Sequence, residues 1–83
     1  MLKIKAIIVD DELLARELIR DFIRDIEDVE IVAECENGFE AFKAIMELNP
    51  ELVFLDIQMP KIDGFELLDV LETKPWIIFT TAF

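Results

Sequence analysis

Apolar residues along this chain fall into four short runs, separated by stretches in which they recur every three or four positions. Ile4 to Val9 is the first run, β-branched and bounded by acids, and it suits a strand buried on both faces. Between Glu12 and Ile26, Leu14, Leu18, Ile19, Phe22 and Ile26 form one stripe, while Glu12, Arg16, Glu17, Arg20, Asp21 and Arg24 occupy the other side. That spacing predicts an amphipathic helix. "VEIVAEC", residues 29 to 35, alternates like a strand and stops at "ENG", where Asn37 can cap a second helix with Glu40 at the capping-box position. This helix carries Ala41, Phe42, Ile45 and Leu48 on its predicted buried stripe. It ends at Asn49-Pro50, because the residue before a proline disfavours the helical region.

"LVFLD", residues 52 to 56, is the third run, followed by the loop "QMPKIDG". Asp63 and Glu66 then mark a capping box for a third helix through Leu67, Leu68 and Leu71, broken at Lys74-Pro75. "WIIFTT", residues 76 to 81, is the fourth run. The order βαβαβαβ, with connections suited to parallel crossovers, predicts an α/β fold: a parallel sheet covered by helices on both faces. No internal repeat, linker or low-complexity tract interrupts it.

Two of these strands end in acid. Asp10 and Asp11 close the first and Asp56 closes the third. Ligands of open parallel sheets sit outside the carboxyl ends of the strands, where the winding direction reverses. A strand order of 2-1-3-4 makes the first and third strands neighbours at that point and brings the three carboxylates into one pocket. Oxygen ligands without His or Cys suit a hard cation such as magnesium. With a cation bound, such a cluster can approach a phosphoryl group that it would otherwise repel. An acid at a strand end also serves as a helix cap, and Asp11 or Glu12 could do so here. The doublet on one strand and the third acid on its neighbour favour the metal pocket. Thr80 and Thr81 close the fourth strand at the same edge, where a hydroxyl could meet a phosphoryl oxygen or simply serve as a good strand residue.

Composition narrows the class. The chain has 83 residues, enough for one small domain, and 54% of them are hydrophobic, too many for disorder. The apolar runs are too short to cross a bilayer, and "MLKIKAIIVDD" fits neither a signal nor a transit peptide, so a cytoplasmic protein is expected. A net charge of −11 repels phosphate backbones and anionic lipid, which argues against nucleic-acid or membrane binding by this segment. One cysteine, Cys35, and no histidine exclude an internal disulfide and a thiolate-imidazole pair for zinc or for nucleophilic catalysis. Cys35 and Trp76 are read as packing residues.

"IIVDDE", "LVFLDIQMPKIDG" and "IIFTTA" resemble, in order, spacing and context, the receiver domain of bacterial two-component response regulators. "DDELLARELI" and "FLDIQMP" look most like the subgroup with a LytTR-type DNA-binding output domain. The resemblance implies a flavodoxin-like, CheY-like sheet and a phosphoacceptor role for Asp56. Asp10, Asp11, Asp56 and the backbone carbonyl of Gln58 would hold Mg2+, with Asp11 a direct ligand and Asp10 acting largely through water. Thr81, just before Ala82, would contact the phosphoryl group and switch the domain, and Met59, Pro60 and Gly64 would shape the pocket loop. A sensor histidine kinase is the implied phosphodonor, and an output domain outside this segment would contact DNA. Receivers catalyse their own phosphorylation and dephosphorylation without being conventional enzymes.

The family pattern continues through a fourth helix, a fifth strand with a lysine at its end, and a fifth helix. The sequence stops before these positions, and Lys43, Lys61 and Lys74 do not match that lysine. The expectation is a truncated receiver whose fourth strand forms an apolar edge, through which the chain associates or exchanges segments with another copy. A haloacid-dehalogenase-type phosphatase would want an Asp where Gln58 stands, and a flavodoxin-like cofactor binder would want a glycine- and hydroxyl-rich loop in place of "DDELLA". The remaining alternative is an unphosphorylated interaction module or an isolated folding fragment of a receiver.

Overall fold

The structure, a computed structural model, describes residues 3–56 and 75–80. Four strands, β1 (Ile4–Val9), β2 (Val29–Cys35), β3 (Leu52–Asp56) and β4 (Trp76–Thr80), form one sheet in the order β2-β1-β3-β4, with every pair parallel. The helices are α1 (Leu13–Ile23) and α2 (Gly38–Leu48). The expected bounds of the first three strands are reproduced, and α1 is shorter than its apolar periodicity implied. The loop after β3 and the helix expected through Leu71 lie outside the described residues.

The winding reverses after β2: α1 leads from β1 outward, and α2 leads back across β1 to β3. Right-handed crossovers therefore place the two helices on opposite faces. On the α2 face, Ile7, Val9, Val53 and Leu55 join Cys35, Ala41 and Ile45 in a buried cluster, with Val32, Ala33, Ala44 and Ile77 packed against it. On the other face Ala6 and Ile8 are fully buried.

β1 and β2 slip register between Ala6 and Ile7: Ala6 pairs with Ile31 but Ile7 pairs with Ala33, leaving Val32 as an extra residue. The bulge exchanges the faces on which the rest of β2 points. Without it, Glu34 would sit opposite Val9, among the apolar residues of the α2 face. With it, Cys35 pairs with Val9 in the core and Glu34 pairs with Ile8 on the α1 face.

Helix α2 begins as expected. The Asn37 side chain accepts from the Glu40 amide at 2.8 Å, and Glu40 Oε1 accepts in turn from the Glu36 amide at 2.9 Å. This is one residue earlier than in the standard capping box. The helix closes at Asn49 in the left-handed conformation (φ 47°), its amide bonding to the Ile45 carbonyl. Asn tolerates that geometry better than most residues.

Helix α1 departs from the expected stripe. Leu14, Leu18 and Phe22 are exposed, and the side that faces the sheet is carried by Arg16, Ile19 and Ile23. On α2, Ala41 and Ile45 are buried as expected, whereas Phe42 and Leu48 remain partly exposed. Each helix meets the sheet chiefly on β1 and β2, where α1 presents Arg16, Ile19 and Ile23 and α2 presents Gly38, Ala41 and Ile45.

Candidate functional site

Val9 and Leu55 are register partners in β1 and β3, so Asp10 leaves β1 beside the position at which Asp56 ends β3. Adjacent strands are about 4.8 Å apart, which draws their terminal side chains together. Asp10 and Asp56 are buried, 3% and 6% exposed, and Asp11 is exposed. One carboxylate oxygen from each of Asp10, Asp11 and Asp56 lies within 4.8 Å of the other two. The convergence expected from strand order is present.

The cluster is electrostatically unfavourable on its own. Burial holds the Asp10 carboxyl above its ordinary value of 3.8, and repulsion from Asp56, Asp11 and Glu12 pushes the same way. The opposing influence is the Glu12 amide, which donates to Asp10 Oδ1 at 2.9 Å and favours the ionised form. That bond is an Asx turn leading into α1. Glu12 stands at the N-cap of α1 without a side-chain capping bond. Helix capping by Glu12 therefore does not account for the acids, whereas a cation would neutralise them. Three carboxylates without a nitrogen or sulfur donor match the preference of a hard divalent cation.

On β4, Thr80 is the register partner of Asp56, and its Oγ1 is buried without a hydrogen-bond partner among the described residues. Gln58 and Thr81, expected at this site, lie outside the described residues, as do Met59, Pro60 and Gly64.

Arg16 is a participant that the periodicity hid. Expected on the solvent side of α1, it is 7% exposed, and its Nη1 donates to the Asp10 backbone carbonyl at 2.7 Å. Its Nε donates to Glu34 Oε1 at 3.2 Å, and Glu36 lies 3.9 Å from Nη2. Arg20 binds the second oxygen of Glu34. A signal for this was present in the i, i+3, i+7 row of Arg16, Ile19 and Ile23, but the more hydrophobic row of Leu14, Leu18 and Phe22 outweighed it.

Residues 6–83 match the family model of the response regulator receiver domain. The transcriptional regulatory protein BtsR of Escherichia coli K12 is 51% identical over 82 residues, covering 96% of this chain and 34% of that protein. The chain thus spans about a third of the length of this relative. Among solved structures, the response regulator domain of Thermotoga maritima CheB matches with a TM-score of 0.85 and 30% identity, over 95% of this chain and 60% of that one. The receiver domain of Mycobacterium tuberculosis NarL, at 24% identity, shares the fold with a TM-score of 0.89, over 100% of this chain and 69% of that one. Nothing in these comparisons supports the finer likeness to a LytTR-type subgroup. With the strand order of a CheY-like sheet, an acid triad at its switch point and a family model spanning nearly all of its length, this chain belongs to the response regulator receiver domains of two-component systems.

Proposed function

We propose that this receiver domain takes a phosphoryl group from a phosphohistidine of a sensor kinase onto Asp56. The observation that carries this reading is the convergence of Asp10, Asp11 and Asp56 at the carboxyl ends of adjacent strands. In the proposed step an Asp56 carboxylate oxygen forms a bond to phosphorus as the bond from phosphorus to the donor imidazole breaks. The product is an acyl phosphate that water later hydrolyses. Asp10, Asp11, Asp56 and the Gln58 backbone carbonyl would hold Mg2+, which when bound neutralises charge between the nucleophile and the incoming phosphoryl oxygens. Asp10 is held in place by its bond from the Glu12 amide, and Asp56 by its strand. The Thr81 hydroxyl is assigned to a phosphoryl oxygen, the contact that reports phosphorylation to the rest of the fold.

The wider reading follows from the same assignment. A DNA-binding output domain outside this segment would turn phosphorylation into transcriptional control, in a protein that works in the cytoplasm. No helix among the described residues is long and apolar enough to cross a membrane. Self-association is also part of the proposal: Trp76 is 80% exposed, and Ile78 and Phe79 are exposed on β4, the last strand in the sheet order among the described residues.

Beryllofluoride, a mimic of the phosphoryl group, tests the site. Fluorine NMR should show a bound species that requires Mg2+ and is lost in Asp56→Asn. A bound signal retained in that variant, or none from the parent chain, would contradict the proposal.

A further inference from the structure

A buried guanidinium is a costly choice. Desolvating one charge costs several kcal/mol, and an apolar side chain of similar size is often as stable or more so. Arg16 nevertheless occupies the sheet-facing row of α1, between β1 and β2. Its hydrogen bonds account for what an apolar residue could not do. One arm reaches the Asp10 carbonyl at 2.7 Å and another reaches Glu34 on β2 at 3.2 Å. Glu34 is available only because the bulge at Val32 turns it to the α1 face.

The Asp10 backbone is fastened from both sides. Its amide donates to the Cys35 carbonyl at 3.0 Å, and its carbonyl accepts from Arg16. Its carboxylate is then turned by the Glu12 amide. The guanidinium is occupied by Glu34, Glu36 and a carbonyl. What it gives Asp10 is a fixed position for its backbone carbonyl.

We propose that Arg16 is a positioning residue for the acidic site: it pins the Asp10 carbonyl to β2 through Glu34 and so fixes where the Asp10 and Asp11 carboxylates stand. The consequence for cation binding rests on reading the cluster as a Mg2+ site, whereas the pinning itself does not. Groups one step removed from a metal's ligands typically change its affinity by about 10–100-fold when they are removed.

The test compares the full chain with Arg16→Met, Arg16→Lys and Ile23→Ala. Ile23→Ala weakens the same helix at its buried end without touching Asp10. Amide hydrogen exchange is read at Asp10 and Glu12, and Mg2+ affinity by calorimetry. Arg16→Met should speed exchange at both amides beyond the general loss seen in Ile23→Ala, and should weaken Mg2+ binding about tenfold. Arg16→Lys, whose single ammonium cannot reproduce the fork, should be intermediate in both. Exchange at Asp10 and Glu12 no faster in Arg16→Met than in Ile23→Ala would overturn the proposal. So would Mg2+ affinity equal to that of the parent chain. If the parent chain itself binds no Mg2+ while the two amides still loosen selectively in Arg16→Met, the pinning stands and the metal reading of the cluster falls.

Discussion

Asp10 turns its own carboxylate back onto the backbone, Oδ1 accepting from the Glu12 amide at 2.9 Å, while carboxylate oxygens of Asp56 and Asp11 stand within 4.8 Å of it. One hydrogen bond thus holds in place a charge that burial and three acids oppose. This tension sets the behaviour of the metal-free protein.

Because the folded-state value of Asp10 is raised above 3.8, the folded chain binds this proton more tightly than the unfolded chain. The stability it contributes is complete below the unfolded value and is lost as pH rises through the folded value. Asp10→Asn keeps an oxygen for the Glu12 amide and removes the charge. At pH 7 without metal, its urea unfolding should show a gain on the order of 1 kcal/mol, and that gain should shrink as pH falls toward 4. Millimolar Mg2+ should raise the melting temperature of the parent chain and leave that of the variant unmoved.

Cys35 offers a probe of opening. Burial first, and then the nearby Glu40 carboxylate, push its thiol up to about 11, while Arg16 opposes them and Glu34 adds less than Arg16 takes away. A thiol so protonated and enclosed reacts only when the fold opens. Labelling by a disulfide reagent at pH 8 should be slow in buffer and rapid in urea, with Mg2+ slowing it further.

Thr80 buries a hydroxyl without a partner among the described residues, opposite Asp56. An unsatisfied group of this kind costs about 1–3 kcal/mol. Thr80→Val should raise the urea midpoint, by roughly 1 kcal/mol in unfolding free energy. A loss of stability instead would show that the hydroxyl is bonded in solution.

The open face of β4 predicts association. Light scattering at micromolar concentrations should show species larger than a monomer, and Ile78→Lys, placing a charge on the exposed strand, should shift the distribution toward monomer. A monomeric parent chain would contradict this part of the account.

Strands were readable from sequence because both their composition and their ends were distinctive. Runs such as "AIIV" and "LVFL" are too apolar for a surface and too short for a helix, and acids or turns bound each of them. The meeting of the three acids was legible for the same reason, since Asp10, Asp11 and Asp56 needed only the strand order to converge. The packing face of α1 was not legible. Leu14, Leu18 and Phe22 form the stronger apolar row, yet the sheet receives the row of Arg16, Ile19 and Ile23. Hydrophobic periodicity ranks rows by apolarity, and a guanidinium bonded to Asp10 and Glu34 is invisible to it. The bulge at Val32 was equally hidden, because it falls in the run Ile31-Val32-Ala33, which is apolar throughout and so fixes no register.

The most direct test of the central claim is intact mass after incubation with a small-molecule phosphodonor, with and without Mg2+, for the parent chain and Asp56→Asn. The account predicts a single phosphoryl adduct on the parent chain that requires Mg2+, and none on the variant. No adduct on the parent chain, or one that persists in Asp56→Asn, would contradict it.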